Sequence, residues 1–170
     1  AKLRFYSQMS PHTSQEDSFK IPLFNVSLKQ KMLANVSYNN PQLEAKIDAL
    51  VGAAYSFKER IKMGGIGSPK MQIMQSSISI HNLLILDHNT NYCSIELRPK
   101  GIILRFRSLL ETYGLVIPYY KLTLYKGDLA LYSVHMDTYF VKVRSDTKAI
   151  QKYFTMLQSL KAAYDPNDYI

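Results

Sequence analysis

A chain of 170 residues with 46% apolar content has room for one well-buried core and an extension, not for several independent domains. Its single cysteine, Cys93, excludes an intramolecular disulfide, and no Cys/His set has the spacing of a zinc site, which together fit a reducing, cytoplasmic setting. The formal net charge of +8 points toward an anionic partner, yet residues 1–75 hold ten basic and five acidic side chains and residues 76–170 hold eleven and eight, so no tail or block carries the excess.

Residues 1–40 mix polar runs with two apolar pieces, IPLFNVSL and KMLANVSY, and show no clean period. They are expected to form an irregular arm with a short strand at most. No apolar run approaches the ~20 residues needed to cross a bilayer, and the first twenty residues lack the apolar centre of a secretion signal. From Asn40 the pattern becomes helical. Asn40 suits a cap, Pro41 suits the first turn, and Leu43, Ile47, Leu50, Val51, Ala54, Phe57 and Ile61 recur on one side, predicting an amphipathic helix over about 41–63 that ends at Gly64-Gly65.

From residue 77 the period changes to two, and this marks the expected boundary between an N-terminal part, 1–76, and a β domain, 77–170. A first strand is predicted in SISIHNLLIL, about 78–86. In the next two, Cys93, Ile95 and Leu97 alternate with Tyr92, Ser94 and Glu96, while Ile102, Leu104 and Phe106 alternate with Ile103, Arg105 and Arg107. A two-residue loop at Pro99-Lys100 pairs Leu97 with Ile102, Ile95 with Leu104 and Cys93 with Phe106, so apolar meets apolar throughout. It also sets Tyr92 opposite Arg107 and Ser94 opposite Arg105.

A strand follows in YGLVIPYY. A loop at Lys126-Gly127 would pair Leu124 with Leu129 and Leu122 with Leu131, and would set Lys121 opposite Tyr132. A loop at 135–137 would pair Leu131 with Val141 and Leu129 with Val143. The chain closes with a helix over about 147–163, capped by Asp146 and striped by Ala149, Ile150, Tyr153, Phe154, Leu157 and Leu160. The fold class is therefore α+β and mainly antiparallel β. A seven-stranded meander must split or curl to hide its edges, with the last helix as the plug for an open end.

The pieces IELRPKGIILRFR, VIPYYKLTLY, LYKGDLALYSV, TYFVKVRS and TKAIQKYFTMLQSLKAA, in that order, resemble a bacterial pleckstrin-homology-like domain over about residues 77–163. The resemblance implies a seven-stranded, partly open barrel of two near-orthogonal sheets capped by the C-terminal helix. It implies no headgroup site, because lipid-binding members cluster Lys and Arg in the loop between the first two strands, and LDHNTNY has neither.

Candidate chemistry is sparse. His12, His81, His88 and His135 stand beside single carboxylates at most, with no second ligand at i+4, and no nucleophile elbow appears. GGIGSPK follows a helix instead of opening one and lacks a Gly-Lys-Ser/Thr ending, so it is expected to be a helix end, with Lys58, Arg60, Lys62 and Lys70 around it. Tyr119-Tyr120 cannot form one stacking platform, since neighbours in a strand point to opposite faces. The expected partner surface is the outer sheet face, with Arg98, Lys100, Arg105, Arg107, Tyr92, Lys121 and Tyr132. No cofactor or metal is implied. The expected function is non-enzymatic binding of another protein, or homodimer formation if the 41–63 stripe is unburied. Peripheral attachment to anionic lipid or a phosphorylated ligand is the alternative, and nucleic acid is disfavoured for want of a recognition motif.

Overall fold

The alternation around Cys93 translates directly into a sheet. A computed structural model describes residues 33–87, 91–128 and 130–164. In it β1 (Leu33–Asn35), α1 (Pro41–Val51), α2 (Phe57–Lys62), β2 (Met71–Ser76) and α3 (Ile78–Leu84) precede the hairpin β3 (Tyr92–Arg98) and β4 (Gly101–Ser108). Then come β5 (Glu111–Pro118), β6 (Thr123–Gly127), β7 (Leu131–Met136), β8 (Tyr139–Arg144) and the closing α4 (Lys148–Ala163). The β3–β4 register is the expected one: Cys93 faces Phe106, Ile95 faces Leu104 and Leu97 faces Ile102.

The eight strands form one antiparallel sheet in the order β1-β5-β4-β3-β2-β8-β7-β6. Two meanders, β3–β5 and β6–β8, are therefore joined through β2. Its first half pairs with β3, through Met71 with Cys93 and Gln72 with Tyr92. Its second half pairs with β8, through Ile73 with Val143 and, past a bulge, Gln75 with Lys142 and Ser76 with Val141. A bulge adds a residue to one strand and bends it, which lets β2 leave one half of the sheet and enter the other. The boundary expected near residue 77 falls between β2 and α3, and both β1 and β2 belong to the sheet.

Four expectations are corrected. The segment predicted as a strand over 78–86 is α3, because Ile80 and Leu84, one helical turn apart, are the side chains it buries. The 41–63 helix is two helices: Gly52 at φ 83 ends α1, and a reciprocal Ser56–Glu59 capping box starts α2. In the β6–β7 hairpin Leu124 faces Val134 and Gly127 faces Leu131, and in β7–β8 Val134 faces Val141 and Met136 faces Tyr139. The positive φ angles at Ala130 and Asp137 place these turns, so Lys126-Gly127 belongs to β6 and not to its loop. Finally, the cap of α4 is Thr147, whose hydroxyl accepts from the Ile150 amide, instead of Asp146. The pairings expected for Leu129, together with His12, His88 and residues 1–32, lie outside the described residues.

The sheet's inner face and α4 share the main core. Ile95, Leu97, Leu104 and Phe106 meet Tyr132, Val134, Val141 and Val143 from the other half, and Ile150, Tyr153, Phe154 and Leu157 from the helix. The Tyr153 hydroxyl lies 2.9 Å from the Ile95 carbonyl oxygen and 3.2 Å from that of Ile66, and donates to this pair. Its location among apolar groups holds its ionisation well above the ordinary phenol range. A second, smaller core lies on the opposite face, where Ile47 and Val51 of α1 cover Ile103 and Val116. That is why the middles of β4 and β5 read as continuous apolar runs: both faces are covered there.

Candidate binding surface

Gly101 lets α1 lie close to the sheet. A Cβ on Gly101 would sit 2.7 Å from Cγ1 of Val51 and collide with the Ile117 carbonyl. The Lys100 amide donates to the Val51 carbonyl at 2.8 Å, tying the β3–β4 turn to the end of α1. Arg98 completes the attachment. Its guanidinium, 10% exposed, reaches Asp48 of α1 at 3.0 Å and Glu96 at 2.8 Å, and donates to the Gly52 carbonyl at 3.3 Å. Glu96 also binds Arg105 at 2.9 Å. These four charges are committed to one another. Of the cations expected to face a partner, Arg98 holds a helix to the sheet instead, and Arg105 is tied to Glu96 across the β3–β4 hairpin.

α1 covers only part of the outer face. Beyond it Ser94 stands opposite Arg105, Gln72 opposite Tyr92, and Arg107 opposite Thr112. Tyr92 and Arg107 each lie one residue past the Cys93–Phe106 pair, on β3 and β4, and both line the groove. Tyr92, Ser94, Arg105, Arg107 and Thr112 line a half-open groove of about 550 Å³, together with Lys70, Asp87, Asn91, Leu109 and Leu110. A smaller hollow of about 270 Å³ lies on the other side of Arg105, between Val36, Tyr38 and α1.

One lip of the larger groove comes from the two-residue β4–β5 turn. Leu109 adopts φ 55 and is 56% exposed, while Leu110 is 89% exposed. The Ser108 hydroxyl anchors the turn by donating to the carbonyl of Leu83 in α3, and Ile85 and Leu86 just beyond α3 are also exposed. Two leucines left in water at a hairpin tip demand an explanation that a polar turn would not. In the sequence SLLETYG resembles a loop of unremarkable length. The signal was that Leu109-Leu110, and not Gly, Asn or Asp, stand between the two strands.

Of the seven expected surface residues, the structure brings Tyr92, Arg105 and Arg107 together. Lys70, Leu109 and Leu110 join them without having been anticipated as a set. Arg98 is buried beside α1, and Lys100 sits at the opposite end of the β3–β4 hairpin from Arg107. Tyr132 is not outward and does not face Lys121. It is 4% exposed, faces Val143 on one side and Lys126 on the other, and stacks on Phe154. Lys121 pairs with Asp137 at 2.9 Å, which raises its affinity for a proton. The two adjacent tyrosines part company, though not by strand alternation: β5 ends at Pro118, and in the turn that follows Tyr119 is buried and Tyr120 is 64% exposed.

Burial pushes the Cys93 thiol up to about 12, so it is not a nucleophile at neutral pH. Among the described residues, no three His, Cys, Asp or Glu side chains are grouped as a metal site. His135 is held between the rings of Tyr125 and Phe140. Among the described residues, no helix is long and apolar enough to cross a membrane. At the far end of the sheet, among the described residues, β6 pairs with β7 alone, and most of its side chains are exposed. No protein-family model matches the chain, and neither the curated proteins nor the solved structures give a match.

Proposed function

We propose that this chain is a non-enzymatic binding domain of pleckstrin-homology-like architecture whose partner is another protein. The architecture is supported by two three-stranded meanders that share β2, with α4 laid across the inner face of both. The observation that carries the functional reading is the uncovered remainder of the outer sheet face. It is a groove of about 550 Å³ with two exposed leucines on its lip, and its floor is made of sheet positions fixed by register. Rigid floors with apolar lips suit recognition of a chain segment, and β6, the last strand of the sheet among the described residues, offers a second place for strand addition.

Photo-crosslinking side chains at Leu110, at Tyr125 of β6 and, as a control, at Lys152 of α4 test the reading in cells. Discrete protein adducts are expected at Leu110 or Tyr125 and not at Lys152. Absence of adducts at both would remove it.

Attachment to an anionic membrane is the second reading, favoured by the Leu109-Leu110 tip beside Arg107. It predicts co-flotation with phosphatidylserine vesicles that salt abolishes, and no flotation eliminates it.

A further inference from the structure

We propose that the outer-face groove takes an extended segment of a partner protein in which acidic side chains alternate with apolar ones. This rests on the protein-binding reading above and names the partner's chemistry. Three cations, Lys70, Arg105 and Arg107, line the groove against one carboxylate, Asp87. Arg105 is balanced by Glu96. Among the described residues Lys70 and Arg107 enter no ion pair, so they are the charges that a ligand carboxylate would answer.

The rest of the lining matches an extended chain. Tyr92, Ser94 and Thr112 offer hydroxyls at neighbouring positions, and Leu109 and Leu110 form a contiguous apolar lip. In an extended segment successive side chains point to opposite sides. Carboxylates two residues apart would meet Lys70 and Arg107, while an intervening leucine or phenylalanine would reach the lip. A bilayer fits less well. Lipid headgroups form a surface and do not descend into a concavity, whereas Ser94 lies on the groove floor within β3.

The probe is a short, capped, fluorescein-labelled peptide of alternating Glu and Leu, read by anisotropy against the whole chain, with a Gln/Leu peptide as its neutral counterpart. The Glu peptide is expected to bind about tenfold or more tightly than the Gln peptide. Lys70→Gln and Arg107→Gln should each remove most of that preference, and Leu110→Ser should weaken both peptides, with thermal melting unchanged because all three side chains are exposed. Equal binding of the two peptides, or none by either, overturns the proposal. So does vesicle binding through Leu110 with no response to peptide. If the peptides fail while adducts still form at Tyr125, the groove assignment falls and the protein-binding reading stands. If adducts fail at Leu110 and Tyr125 alike, both fall.

Discussion

Tyr132 of β7 and Phe154 of α4 stack face to face, ring centroids 4.1 Å apart with parallel planes. This contact holds the closing helix to the half of the sheet farthest from α1, and both rings are buried. Phe154→Ala should cost about 3–5 kcal/mol in a urea titration, through lost burial plus the cavity left behind. A double-mutant cycle with Tyr132→Leu should give a coupling of about 0.5–1.5 kcal/mol, and additivity would mean the stacking contributes nothing beyond area.

Arg98→Met keeps the aliphatic stem and removes the charge that binds Asp48, Glu96 and the Gly52 carbonyl. A loss of about 1–3 kcal/mol is expected, short of a fully buried pair because Asp48 is half exposed and Glu96 keeps Arg105. Hydrogen exchange should quicken first in α1, and uniform quickening across the sheet would contradict its role as an attachment.

His135 gives the fold a pH response. Burial, with help from the nearby Lys142 charge, lowers its proton affinity below the ordinary imidazole value of 6.5. The folded state therefore favours the neutral ring. Its contribution is fully present above the unfolded value, is lost as pH falls below about 6.5, and levels off beneath the lowered folded value. Stability measured from neutral pH down to about 5 should decline less steeply in His135→Gln than in the native chain. Parallel curves would show that the ring is not felt by the fold.

Gly101→Ala places a methyl against the Ile117 carbonyl and Val51, and backbone on one side cannot move aside. A cost of about 3 kcal/mol is expected, at the upper end for overpacking. Gly114→Ala makes a useful contrast, because its Cβ meets only side-chain methyls of Ile103 and Val36 at 3.2 and 3.3 Å. It should be the milder of the two in the same titration.

The sequence disclosed structure where one physical signal dominated. In β3 and β4 the two-residue loop paired apolar with apolar, where a three-residue loop would have set Glu96 against Leu104, and its register is the one found. Four of the residues in the predicted α4 stripe are the four that the helix buries. The last two hairpins misled because apolar residues occupy both parities there. A register shifted by an odd number still paired Leu with Leu while turning Tyr132, Val134 and Met136 the wrong way. The first of the turns that settle it uses left-handed Ala130, a residue type that carries little warning, while Gly127 advertised a turn and lies in a strand.

The surface was less legible than the fold. Tyr92, Arg105 and Arg107 could be grouped because they share the one hairpin whose register was readable. Lys70 could not, because it stands just before β2, a strand with Met71 and Ile73 as its inward pair that the sequence reading did not recognise. Arg98 was misassigned since nothing local shows that Asp48, fifty residues earlier, comes to meet it. Leu109 and Leu110 were visible as letters, but their exposure depends on a tight turn pinned by Ser108 to α3.

The double membership of β2 has a consequence for the nascent chain. Gln75 and Ser76 acquire their sheet partners only when β8 has been made, long after β3 has joined the other half of the strand. Throughout synthesis of the second meander, the middle of the finished sheet is thus an open, adhesive border. Ribosomal stalling or a premature stop before Val141 would leave it so permanently, and such fragments should be cleared or precipitate instead of persisting as half-domains.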